Sequence, residues 1–196
     1  MKILLFLAEG FEDLEAVSIL DVMGWTQYRQ WVPTVEVVTT GFRPVVKSRF
    51  GLEIRIDIPF EDLKPADYTA LAIPGGFHSH GFDEAYDDHL RDLARQVHAA
   101  QGWIATFCVG VLPVAEAGLL EGKRATSYPF SRKHDNLGRL QELGACVVAD
   151  PMVVDDRIIS CAGPASSLDV AWKLLEGILG AEYCSEVKRL MCANTN

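Results

Sequence analysis

The chain has 196 residues, 49% hydrophobic and 23% charged, enough for one sizeable core without disulfide or metal staples. A net charge of −9 argues against a nucleic-acid or anionic-membrane surface, which draws on clustered Lys and Arg. The densest basic run, Ser131-Arg132-Lys133-His134, is closed by Asp135.

The opening MKILLFLAEGFEDLE has an apolar stretch that ends after Ala8 and runs into acids, unlike a secretory signal with its small-residue cleavage site. No stretch approaches the roughly 20 apolar residues of a membrane-spanning helix. Five cysteines (108, 146, 161, 184, 192) form an odd set with no C-x-x-C pair. Neither a disulfide framework nor a zinc knuckle fits that spacing. A cytoplasmic protein is expected, with no cofactor and no metal. Without repeats, low-complexity tracts or linkers, residues 1–196 read as one domain.

In chain order, Lys2 to Ala8 is a nearly continuous apolar run, as in a parallel strand covered on both faces. A helix is predicted from about Glu12 to Tyr28, with Glu12 and Asp13 favourable in its first turn. Thr34 to Thr40 reads as a strand. Residues 43–58 read as a short strand or hairpin turning at Gly51. Tyr68 to Ile73 is another buried strand, ending at Pro74-Gly75-Gly76. Between Asp83 and Ala99, Leu90, Leu93, Ala94 and Val97 fall on one helical face.

Gly102 to Phe107 reads as a buried strand, and Val109 to Ala117 as a helix that tolerates Pro113 in its first turn. Cys108 therefore stands at a strand-to-helix corner, the geometry of a nucleophile elbow. A short helix near Arg139, strands near Cys146 to Ala149 and Arg157 to Cys161, and two closing helices complete the chain. The first closing helix carries Ala171, Leu174, Leu175 and Ile178 at helical spacing. Strands alternating with helices imply an α/β fold with a doubly wound, mostly parallel sheet. Sites in such sheets form at the carboxyl ends of strands.

Three loops meet that rim: AEGFEDLEA, IPGGFHSHGF and FCVG. Gly75 and Gly76 offer unobstructed backbone N–H groups suited to an oxyanion, and the Val109 amide is a second donor. A helix N-terminus favours a thiolate, so a lowered Cys108 pKa is expected. One of Glu9, Glu12, Asp13 and Glu15 can reach the thiol. His78 and His80 lie on the same rim and would share a side if their loop were extended, but without a visible third ligand they read as solvated. His89, His98 and His134 read as surface. Cys146 and Cys161 read as core, and Cys184 and Cys192 as packed or partly exposed. Trp25, Trp31, Trp103 and Trp172 read as core or subunit contact.

LAEGFEDLEA, IPGG, IATFCVG, ATSYP and IISCAGPASSLDVAWKLLEGILG, in this order across nearly the whole chain, resemble the ThiJ/PfpI superfamily. The resemblance implies a three-layer flavodoxin-like sandwich with a cysteine nucleophile elbow. By position it implies Cys108 as the reactive cysteine and Glu15 as the acid that hydrogen-bonds it. Gly76 and Val109 become the oxyanion amides, and a homodimer is the expected assembly. A protonated carboxyl beside a thiolate donates a charge-assisted hydrogen bond.

The match departs at histidine. Protease-like members have one directly after the cysteine, where this chain has Val109; the deglycase-like branch has one where this chain has Tyr128. A phenol with a pKa near 10 is a poor general base at neutral pH, so peptidase activity is not expected. Two functions follow. One is a cysteine-dependent hydrolase or glyoxalase- or deglycase-like lyase acting on a small carbonyl compound, with Tyr128, Gly75 and His78 lining the site. The other is a non-enzymatic redox sensor or stress-response protein that uses oxidation of Cys108.

Overall fold

The computed structural model describes residues 1–193. Its centre is a seven-stranded sheet built from β1 (Lys2–Phe6), β2 (Glu36–Gly41), β5 (Ile58–Pro59), β6 (Ala70–Ile73), β7 (Trp103–Phe107), β10 (Met152–Asp155) and β11 (Ile158–Cys161). The strand order is β10-β11-β7-β6-β1-β2-β5, and every pairing is parallel except β10 with β11. Two small ladders lie outside it: β3 (Val45–Lys47) with β4 (Glu53–Arg55), the hairpin expected around Gly51, and β8 (Arg124–Ala125) with β9 (Cys146–Val147).

Alternation along β1 divides the interior into two cores. Ile3, Leu5 and Leu7 face α1 (Asp13–Gly24), α5 (Ser167–Leu179) and α6 (Ala181–Leu190). Leu4, Phe6 and Ala8 face α2 (Asp88–Ala99), α3 (Val111–Glu116) and α4 (Asn136–Glu142). Both faces of the strand are covered, which is why its sequence is continuously apolar rather than alternating. The α2 stripe is as expected, with Leu90, Leu93, Ala94 and Val97 all buried. The result is the expected three-layer α/β sandwich.

Several elements differ from the sequence reading. Trp25–Tyr28 tightens into a 3₁₀ turn after α1. Phe82–Tyr86 is a separate 3₁₀ turn, and α2 starts only after Asp87, whose carboxylate caps it by accepting from the His89 N–H. Strand β10 was not anticipated, because Pro151 and Asp155-Asp156 disguise it as a loop. Cys146 is exposed rather than core, since β9 is a two-residue strand of an outer ladder. Trp31 is also exposed. Among the described residues no helix is long and apolar enough to cross a membrane.

Candidate active site at the end of the seventh strand

Chain direction diverges between β1 and β6: β1 leads outward to β2 on one side, while β6 and β7 continue on the other. This switch point opens a crevice at the carboxyl ends of the strands. Register brings its parts to one height, pairing Leu5 with Ala72 and Ile73 with Thr106. The residues after β6 (Pro74-Gly75-Gly76) and after β7 (Cys108) therefore emerge side by side.

Cys108 has φ +51°, a left-handed conformation that residues other than glycine seldom adopt. Such a residue costs on the order of 1–3 kcal/mol and persists only where its surroundings over-determine it. Here they do. The Ser127 hydroxyl donates to the Cys108 carbonyl at 3.0 Å. Gly110 presses so closely on β6 that a Cβ there would meet the Ile73 carbonyl oxygen at 2.5 Å. Gly75 does the same from the front: its Cβ would lie 2.8 Å from Cys108 Cβ and 3.1 Å from Glu15 Oε2.

Glu15 is fully buried in α1, beneath this contact. Its Oε2 accepts from the Gly75 N–H at 2.7 Å, whereas Oε1 is buried with no hydrogen-bond partner. Burial pushes the Glu15 pKa up to about 8, with the Glu12 charge adding and the Gly75 N–H opposing. At neutral pH the carboxyl is therefore mostly protonated, and since Oε2 is an acceptor the proton belongs on Oε1. Glu12 does not compete for this role. Its carboxylate caps α1 by accepting from the Glu15 N–H at 2.9 Å.

The Cys108 thiol departs from the expected low pKa. Burial pushes it well above the ordinary range, and Glu15 adds repulsion whenever it is charged. The Val109 N–H works in the opposite direction. The helix-terminus argument underestimated desolvation, the largest of these effects. Gly75 also differs from its expected use: its N–H is taken by Glu15, which leaves Gly76 and Val109 as the amides lining the cavity.

That cavity, about 730 Å³, stands over Cys108. Gly76, Val109, His78 and Tyr128 line it, while Glu15 and Gly75 form the layer below. His80 does not line it. The loop is a 3₁₀ turn rather than extended, so the two histidines diverge, and His80 instead packs on Gly10 with its ring bonded to the Ser79 hydroxyl at 2.9 Å. His78 Nδ1 meets Asp83 Oδ1 at 2.5 Å, leaving Nε2 unencumbered.

His134 belongs to the cavity as well, with its ring centroid 4.6 Å from that of His78. Its charged neighbours made it read as surface. The arm from Tyr128 to Asn136 brings it in, pinned where Asn136 Nδ2 donates to the Tyr128 carbonyl at 2.9 Å. No periodicity signals such a closure. Among the described residues no group of three or more His, Cys, Asp or Glu side chains could hold a metal, and all five cysteines are unpaired.

Comparison with known proteins gives this arrangement its context. The model of the DJ-1/PfpI family matches residues 1–177. The isonitrile hydratase of Pseudomonas putida is 31% identical over 181 residues, covering 91% of this chain and 75% of that protein. A deglycase of Pyrococcus abyssi is 26% identical over 159 residues, 81% of this chain and 90% of its own length. Protein DJ-1 homolog A of Arabidopsis thaliana is 25% identical over 194 residues, 99% of this chain; the chain spans only about half (47%) of that relative's length. Drosophila melanogaster DJ-1beta superposes with a TM-score of 0.82 over 98% of both chains at 24% identity, a likeness of fold. With a family model that takes in every element from β1 into α5, the chain belongs to the DJ-1/PfpI family.

Proposed function

We propose that this protein is a cysteine-dependent hydrolase or lyase acting on a carbonyl compound. One observation carries the reading: Cys108 is held at φ +51° on the floor of a cavity, beside a buried carboxyl whose Oε1 has no partner. In the first step Sγ bonds to the carbonyl carbon and the C=O π pair moves to oxygen. The Gly76 and Val109 amides stabilise that oxygen, and the thiol proton ends on it, so the adduct is a neutral hemithioacetal.

A thiol with a raised pKa needs a base at the moment of attack. Tyr128 is poorly suited to this. His78 is better suited, because Asp83 accepts its Nδ1–H and fixes the tautomer with Nε2 as acceptor. The family relation and the names deglycase and isonitrile hydratase among relatives support chemistry on small unsaturated carbon centres. The test is steady-state turnover of methylglyoxal by wild type and Cys108→Ser, with intact mass as a second readout. Turnover and a thiol adduct in wild type, both abolished in Cys108→Ser, are expected; equal rates in the two proteins would sink the reading.

Tyr128 in place of a histidine favours a second reading, a peroxide sensor in the cytoplasm. Two equivalents of peroxide would convert the Cys108 thiol to a sulfinate with release of two waters, and the unpartnered Glu15 Oε1 would be the group to hydrogen-bond the new oxygens. Peptide mass analysis after stepwise peroxide should show 32 Da added at Cys108 before any change at Cys146 or Cys192. First oxidation elsewhere would exclude a sensing role for Cys108.

A further inference from the structure

The cavity is far larger than a two- or three-carbon aldehyde requires. Its volume of about 730 Å³ falls in the range that holds drug-sized ligands. Four lining side chains are phenylalanine or tyrosine and form two edge-to-face pairs from separate segments. Phe50 meets Phe77 at 5.9 Å and 76°, and Tyr128 meets Phe130 at 5.9 Å and 81°. Phe50 is 65% exposed and Phe130 77%. Arg49 lies over the Phe50 and Phe77 rings at 5.3 and 5.5 Å, and a ring seated against the aromatic area that remains exposed gains burial and edge-to-face contact.

Charge changes along the same arm. Tyr128 follows the residue bonded to the Cys108 turn, Phe130 is next outward, and Arg132 and Lys133 line the cavity at its exposed mouth. Neighbouring cations are engaged: Arg124 pairs with Asp150, and Arg139 with Glu116 and Glu142. Arg132 and Lys133 take part in no ion pair among the described residues. The acid in the cavity wall, Glu12, is occupied in capping α1. In a chain of net charge −9, two free cations beside an aromatic wall select for an anion.

We infer that the cavity takes an aromatic carbonyl compound with a negative charge on the far side of the ring. The carbonyl meets Cys108, the ring lies against the two phenylalanine-containing pairs, and the anion reaches Arg132 and Lys133. The place of the carbonyl rests on the enzymatic reading above; the ring and anion subsites rest on the lining residues alone.

Calorimetric titration of Cys108→Ser with unreactive ketones tests this. 4-Acetylbenzoate should bind about tenfold more tightly than acetophenone. The double variant R132A/K133A should bring that ratio close to one, and Phe130→Ala should weaken both ligands. Equal affinity for the two ketones, or a ratio unchanged in R132A/K133A, would overturn the ligand class. Wild-type kinetics with methylglyoxal and 4-carboxyphenylglyoxal separate the two claims. Tight 4-acetylbenzoate binding without turnover of either glyoxal leaves the ligand class standing and removes the enzymatic reading. Turnover of methylglyoxal without preference for the aromatic acid keeps the enzyme and removes the ligand class.

Discussion

The floor and the mouth of the cavity are built by different means. On the floor Glu15, Gly75 and Cys108 are locked by backbone contact: an N–H from one loop, a missing side chain in another, a left-handed residue at the end of β7. At the mouth Phe130, Arg132, Lys133 and His134 hang on an arm held mainly at its ends, by Ser127 and Asn136. The floor can tolerate almost no change in shape, whereas the mouth can vary in chemistry without cost to the fold. On the function proposed, a site so divided would keep one reaction geometry while its ligand preference varied.

The sharpest way to break that contrast is Gly75→Ala. The added methyl would meet Cys108 Cβ at 2.8 Å and the Phe107 carbonyl oxygen at 2.9 Å, neither of which can swing aside. A loss of roughly 2–4 kcal/mol is expected in urea denaturation, together with loss of the ordinary rate of Cys108 alkylation by iodoacetamide. A stable, normally reactive Gly75→Ala would mean that the floor is not locked.

Glu15→Gln probes the same floor through pH. The folded pKa of about 8 lies above the ordinary carboxyl value of 4.5. Between these values the native state holds a proton that the unfolded chain has released, so stability falls as pH rises from about 4.5 through 8. Glutamine can still accept from Gly75 and does not titrate. Denaturation at pH 5, 7 and 9 should show the wild-type decline flattened, with the variant ahead by roughly 1–3 kcal/mol at pH 9. An unchanged slope would place the titrating group elsewhere.

Asp83→Asn should separate chemistry from folding. The Asp83 side chain is 75% exposed, so stability should move by less than about 0.5 kcal/mol. Turnover of a glyoxal should fall by about tenfold or more, as His78 loses the carboxylate that orients its ring. Phe130→Ala is the smallest perturbation and the matching control at the mouth: a stability change within about 0.5 kcal/mol, against a measurable loss of affinity for aromatic ketones. A large destabilisation would show the arm to be part of the core after all.

Gly75 and Cys108 were legible in the sequence because they sit where strands end, and strand ends carry local signals: an apolar run, then Gly-Gly or a small-residue turn; Glu15, inside α1, was singled out among four nearby acids only by the family resemblance. What the local signals omitted was which donor meets which acceptor. The Gly75 N–H faces Glu15 rather than solvent, and burial at Cys108 outweighs the helix terminus. The mouth was largely illegible. His134 lies among charges in the chain, and only the closure of residues 128–136 brings its ring against His78, more than fifty positions earlier. His78 and His80, two apart, were expected together and are separated by a 3₁₀ turn. The α2 stripe, by contrast, followed directly from its 3.6-residue period, as any one-sided helix should.

The bond from the Ser127 hydroxyl to the Cys108 carbonyl joins the two regions mechanically. The arm's inner anchor and the backbone of the strained turn share this hydrogen bond, so a displacement at one end loads the other. An enlarged side chain at Cys108, as an adduct or added oxygens would make it, would press on the anchor of the arm that carries the aromatic and cationic residues. By reciprocity, a ligand that steadies the arm resists that enlargement by the same free energy.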